Sequence, residues 1–304
     1  MARYVFAILL IMKNRELTPR QQDNVRIFNE TIKTIKNSEK LSELQDRSIR
    51  CQHVILETDR EIPHFPKFHK QAKTEVVDQG SFDVARKFPS GTTCVLNFAS
   101  ATNPGGGVET GASAQEECLC RCSTLYGCLS DKTMINQFYE PHRKYGSPLH
   151  NDDIIYTPGV VVFRSDDYSM LNDCQSWRLV DVISCAAPNL RKNLSNWRYN
   201  TERGRAADIS NAKLLALHEQ RARRILSAAA TLTFDEHIVL GAFGCGAFKN
   251  DPRIVAQAYK NVLPEFLDCF KTIVFAVKCG KDKTNYTVFK EIINPQPGDT
   301  NEHR

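Results

Sequence analysis

Two adjacent acids follow a run of three glycines: Gly105, Gly106 and Gly107, then Gln115, Glu116 and Glu117. Successive glycines let the backbone approach a ligand and turn through conformations closed to other residues. A carboxyl group can protonate a departing oxygen and then draw a proton from water, which is the chemistry of glycosidic cleavage. The usual two-carboxylate arrangement sets its groups about 5–9.5 Å apart across the bond. Neighbours on a helix point roughly 100° apart, so Glu116 and Glu117 are not expected to face one bond as acid and nucleophile. One acid at the leaving oxygen and one carboxylate on sugar hydroxyls is the better division. A purely structural reading accounts for one of them, because Ser113 and Glu116 have the spacing of a capping box at a helix start. It leaves Glu117 and the glycine triplet unexplained. A helix start also lowers carboxyl pKa values. A working acid therefore needs an opposing influence: a neighbouring carboxylate, burial or a substrate phosphate.

Two further segments place small or polar residues just past an apolar run. Ile238–Leu240 leads into Gly241-Ala-Phe-Gly244-Cys245-Gly246-Ala247-Phe248, and Asp251-Pro252 then caps and opens a helix. Backbone N–H groups in such a turn form an anion cradle. It lacks the lysine of a triphosphate-binding loop, which disfavours a nucleotide triphosphatase. An empty tight turn explains the glycines equally well, and Phe248 suits either a ribose contact or core packing. The third segment, Ser184-Cys-Ala-Ala-Pro-Asn189, leaves room beyond a strand and offers one amide, yet an ordinary turn reads the same way.

Elements must hold these segments in place. Apolar runs of strand length occur at 93–99, 154–163, 179–186, 237–243 and 272–277, with a short strand at 53–57. Most are apolar at consecutive positions, as strands buried on both faces are. Helical patterns separate them at 114–130, 208–230 and 252–268. Strands alternating with helices predict an α/β fold, a three-layer α/β/α sandwich around a mixed sheet. Thr18-Pro19-Arg20-Gln21 reads as a capping box with proline at the first helical position. Val25, Phe28, Ile32 and Ile35 then give one apolar face. Residues 60–90 carry three prolines and a glycine and read mainly as connections. The division expected is an N-terminal helical accessory region over 1–90, a core over 91–293 and a loose tail over 294–304.

Composition narrows the class. A net charge of +5 over 304 residues suits an anionic substrate without requiring one. The eleven cysteines are scattered and odd in number, which predicts reduced thiols inside the cell, in cytoplasm or nucleus. Cys118, Cys120 and Cys122 have no zinc-type spacing, so no metal is expected. The apolar run Tyr4–Met12 is too short to span a membrane and reads as a strand or buried helix start. The basic run Arg221-Ala-Arg223-Arg224 could contact nucleic acid, but a charged helix face is usually just solvated.

With those residues in view, the sequence resembles the microbial branch of the poly(ADP-ribose) glycohydrolases. The glycine triplet followed by Gln115-Glu116-Glu117 carries the resemblance. So do the runs NFASATNPGGG, GASAQEECLCRCSTLY, TPGVVVFRSD, CAAPNL and LGAFGCGAFKNDP, with RIFNETI fitting the accessory helix. The likeness covers most of residues 25–290 in order. It implies a macrodomain-like core that hydrolyses ribose–ribose bonds in poly(ADP-ribose) and releases ADP-ribose, with no cofactor. Glu117 would protonate the leaving ribose oxygen and then activate water. Glu116 would hold ribose hydroxyls, and Gln115 would help shape the loop. Gly105, Gly106 and Gly107 would lie against the diphosphate, with Gly244, Cys245, Gly246 and Ala247 opposite and Phe248 orienting the terminal ribose. Asn103 and the strand end Asn97–Ser100 would line the ribose pocket. Tyr286 or Phe289 would stack on adenine or fill core. The partner implied is poly(ADP-ribose) on modified proteins, met by a monomer with no obligate nucleic acid and no membrane. Two alternatives share the fold: a module that grips ADP-ribose without cutting it, and a hydrolase of protein-linked mono(ADP-ribose).

Overall fold

The computed structural model describes residues 17–59, 63–171, 173–192 and 207–294. The apolar run Tyr4–Met12 and the tail past residue 294 lie outside them.

The chain opens with two helices, α1 (Pro19–Asn37) and α2 (Glu39–Cys51). The start of α1 is closed as expected: Gln21 N donates to Thr18 Oγ1 at 3.3 Å, and Thr18 N donates to the Gln21 side chain at 3.0 Å. Phe28 and Ile35 are buried from its apolar stripe. Asn24 and Thr31 are also buried there, each donating to a distant backbone carbonyl, Gly111 O and Arg121 O.

Seven strands form one sheet in the order β1-β4-β5-β3-β6-β7-β2. They are β1 (His53–Ile55), β2 (Lys73–Val77), β3 (Thr93–Phe98), β4 (Ile154–Val162), β5 (Arg178–Cys185), β6 (His237–Leu240) and β7 (Thr272–Ala276). The five strands from β5 to β2 run parallel to one another, while β4 is antiparallel to both β5 and β1. The mixed sheet predicted from sequence is therefore present.

Its strands read as continuous apolar runs because both faces are covered. Alternate residues face opposite sides. Cys94 and Leu96, Ile238 and Leu240, and Ile273 and Phe275 pack into one core. That core is shared with α6 (Asn211–Leu232), α7 (Pro252–Val262) and α8 (Thr284–Ile293). Their neighbours Val95, Val239 and Val274 pack into the other core. There they meet α1, α3 (Ser81–Ala85), α4 (Gln115–Cys122), α5 (Leu125–Leu129) and the helical run through Phe138 and Tyr139. The result is a three-layer, macrodomain-like α/β/α sandwich.

Three local readings are refined. Residues 60–90 are mainly connections, as read, but they also supply β2 and α3; Pro63 and Pro66 precede both elements and Pro89 follows them. With β1, they give the sheet both of its edges. The helix expected over 114–130 breaks at Ser123, which is extended and bridges to Val162. Ser123 Oγ donates to Leu119 O and Thr124 N to Val161 O. Side-chain bonds of that kind compete with the helical ladder. Finally, the arginines of α6 are engaged within the fold, two of them turned inward and Arg223 exposed. Arg221 is buried on Asp152 and the carbonyls of Ala186 and Leu149, Arg224 bonds Asp152 O, and Arg223 pairs with Glu265.

Candidate active site

A cleft of about 1110 Å³ lies past the carboxyl ends of β3, β6 and β7. Ligands of open α/β sheets bind in that position, because chain reversals there leave backbone groups unpaired. One wall is the loop from β3 to α4. Gly105 and Gly106 have φ of +65° and +60°, which favour glycine. A side chain on Gly106 would also collide with both acids. Its Cβ would stand 2.5 Å from Glu117 Oε1 and 3.0 Å from Glu116 Oε2.

The two carboxyl groups therefore both reach the backbone of Gly106. Three rotatable bonds in each side chain outweigh the angular offset of their Cα atoms. The expected capping box is absent as well, since Ala114 precedes the helix and makes no side-chain cap. Glu116 reaches back to the strand end instead. Its Oε2 accepts from Ser100 N at 2.8 Å and its Oε1 from Asn97 Nδ2 at 3.4 Å. Burial, reinforced by Glu117, pushes the Glu116 carboxyl well above the ordinary range. Desolvation thus overrides the lowering expected of a helix start.

Glu117 is buried too, at 7% exposure, yet it borders the cleft. Its Oε1 accepts from Gly107 N at 2.8 Å, while its buried Oε2 has no hydrogen-bond partner among the described residues. Gln115 shapes the loop, accepting from Phe98 N and donating to Leu96 O and Ser81 Oγ. Asn103 borders the cleft, and its main chain ties Ser100 Oγ to Gly106 N.

The opposite wall follows β6. Gly244, at φ +76°, would clash with Ala187 if it carried a side chain. Asn250 clamps this turn to the third segment by donating to Gly244 O and Pro188 O. Gly246 and Ala247 are exposed at the cleft surface beside Phe248, over whose ring the Arg191 guanidinium lies at 5.7 Å. Asn189 also borders the cleft. Of the residues named from sequence, Gly105, Cys245 and, in the strand end, Asn97 and Ala99 do not. A Cβ on Gly105 would meet Tyr126, Cys120 and Val108, and Cys245 packs into the core. Phe289 is core as well, and Tyr286 packs against it rather than lining the cleft.

Sequence reasoning missed Arg20, Gly80, Ser81, His150, Asp166, Tyr168, Arg191 and Lys278, all of which border the cleft. No local pattern marks them, since they arrive from segments scattered along the chain. His150 is the one histidine there, and burial beside Arg221 lowers its pKa to about 3. It stays neutral at physiological pH and is a poor proton donor. Burial likewise raises the Cys120 and Cys122 thiols well above their usual range. Among the described residues no group of three or more His, Cys, Asp or Glu could hold a metal ion, and no helix is long and apolar enough to cross a membrane.

A macrodomain-like sandwich with glycine-lined walls and buried glutamates at the strand ends defines the class. A model of the microbial-type PARG catalytic domain, PARG being poly(ADP-ribose) glycohydrolase, matches residues 7–165. The chain is similar to poly(ADP-ribose) glycohydrolase from Thermomonospora curvata at 26% identity, over 89% of this chain and 99% of that one, with a TM-score of 0.73. The structure of that enzyme bound to the inhibitor ADP-HPD gives 0.72 at the same identity and coverage. The enzyme from Deinococcus radiodurans in complex with ADP-ribose is 31% identical over 82% of this chain and 97% of that one, with a TM-score of 0.70. No curated protein matches the chain. The chain belongs to the microbial-type poly(ADP-ribose) glycohydrolase family.

Proposed function

We propose that the protein hydrolyses ribose–ribose bonds of poly(ADP-ribose) and releases ADP-ribose, with Glu117 as general acid and then general base. The observation that carries this reading is the Glu117 carboxyl itself: the residue borders the cleft, one oxygen is fixed by Gly107 N, and the other is buried with no hydrogen-bond partner among the described residues. Gly244, Gly246 and Ala247 offer the diphosphate their backbone N–H groups, while Gly106 and Gly107, whose N–H groups bond Asn103 O and Glu117, form the close-packed opposite wall. Glu116, backed by buried Asn97, and Asn103 hold the terminal ribose, and Phe248 packs against it.

Glu117 gives its proton to the leaving 2′-oxygen as the bond to the anomeric carbon breaks. The resulting carboxylate and the substrate's own diphosphate stabilise the positive charge spreading over the ribose. Water then gives a proton back to Glu117 as its oxygen bonds the anomeric carbon. Glu116, held by Ser100 N and Asn97, positions sugar hydroxyls rather than reacting. Eleven cysteines, none bonded to another, support a reducing compartment, cytoplasm or nucleus.

The test is release of ADP-ribose from purified polymer. Glu117→Gln should lose about 10²–10⁴-fold in rate while binding ADP-ribose within a few-fold of wild type. A wild-type protein that binds ADP-ribose but leaves polymer intact would establish a binding module instead.

A further inference from the structure

We propose that Arg20, with Thr110 and Ser113, forms a second anion subsite that takes the diphosphate of the polymer unit on the leaving side of the scissile bond. This rests on reading the cleft as a poly(ADP-ribose) glycohydrolase site.

The geometry runs outward from Glu117. Its carboxyl is held by Gly107 N, and a Cβ on Gly107 would lie 2.9 Å from Ala112 and 3.5 Å from Thr110 Oγ1. Gly111, next along the loop, packs so closely on α1 that its Cβ would stand 2.3 Å from Gln21 O. Arg20 precedes Gln21, and its side chain borders the same cleft. The wall that holds the acid thus continues, without leaving the cleft, to a guanidinium carried by α1. Arg20, Thr110 and Ser113 are all exposed, so this stretch is the mouth rather than the floor.

The position is fixed. The capping box between Thr18 and Gln21 sets the start of α1, and the buried bond from Asn24 to Gly111 O at 2.9 Å ties that helix to the loop. The charge is also unspent: Arg20 makes no hydrogen bond or ion pair among the described residues, and nearby Asp23 pairs with Arg26.

The substrate's chemistry supplies the ligand. Every unit of the polymer carries a diphosphate, so the leaving 2′-oxygen is always tethered to a second one. With the terminal unit between the two glycine walls, the leaving unit emerges past Glu117 at the mouth. A guanidinium matches phosphate geometry with paired N–H donors and the Ser113 hydroxyl supplies a single one, while Thr110, whose hydroxyl donates to Gly107 O at 3.0 Å, lines the subsite. Free ADP-ribose has no second diphosphate and does not reach this subsite.

The experiment compares wild type, Arg20→Ala and Arg20→Glu in kcat/KM on polymer at low and high salt, alongside Kd for ADP-ribose. The expected loss on polymer is about three- to tenfold for Ala and larger for Glu, with a shallower salt dependence. Affinity for ADP-ribose should stay within twofold and the melting temperature should not move. Full activity of both variants on polymer overturns the subsite and leaves the glycohydrolase reading standing. An equal loss of ADP-ribose affinity also overturns it, by placing Arg20 at the terminal unit. Wild-type protein inert on polymer removes the parent reading and the subsite with it.

Discussion

Asp166 shows how one buried side chain couples the cleft to stability. Its carboxyl lies where a side chain on Gly80 would stand, with Oδ2 1.3 Å from that Cβ position, so the two residues can meet only if position 80 is glycine. Burial, with Asp83 adding and Lys278 opposing, raises the Asp166 pKa from 3.8 to about 6. A carboxyl whose folded pKa exceeds its unfolded value binds its proton more tightly in the native state. Its ionisation therefore costs stability as pH rises from about 4 to 6, and nothing below that window. Asp166→Asn removes the cost while keeping the shape. We expect the variant to be more stable by about 1–3 kcal/mol at pH 7.5 and unchanged at pH 4. Urea midpoints at the two pH values measure this, and an equal gain at both would disprove the assignment.

At the scale of elements, α1 is a brace for the loop between β3 and α4. Gly111 has φ +76° and almost touches the backbone of Gln21. Asn24 satisfies the Gly111 carbonyl from the same helix. Gly111→Ala combines an unfavourable backbone conformation with a backbone collision and should cost about 2–4 kcal/mol. Asn24→Ala leaves a buried carbonyl unpaired and should cost about 1–3 kcal/mol. Both should also raise KM on polymer, because the loop carries Gly106, Gly107 and the support of Glu117. Urea unfolding and polymer kinetics check the pair. Stabilities within 0.5 kcal/mol of wild type would show that α1 merely rests on the loop.

Across the whole molecule, the sheet draws both edge strands from residues ahead of position 91. A chain that starts at residue 91 would expose β4 and β7 as bare edges and uncover the core lined by Phe28, Phe82 and Val84. We expect such a fragment to aggregate or lose cooperative unfolding, whereas a chain starting at residue 17 should melt in one transition. Calorimetry distinguishes these outcomes, and a soluble, cooperatively melting fragment from 91 would count against the edge strands as part of the folding unit. The α/β order was legible beforehand because both-face burial writes continuous apolar runs into β3, β6 and β7. The glycine walls and acid pair were legible for a similar reason, since backbone freedom and side-chain chemistry belong to the residue itself. Short β2 was not, because its Lys-Thr-Glu-Val-Val takes its pairing from β7, almost 200 residues on. Nor was the convergence of Glu116 and Glu117 on Gly106, the inward turn of Gly105 and Cys245, or the arrival of Arg20 and Asp166 at the cleft. Local sterics and periodicity act over a few residues and can be read along the chain. Which atoms meet across a cleft is set by long-range packing, where desolvation and contact distance decide the outcome.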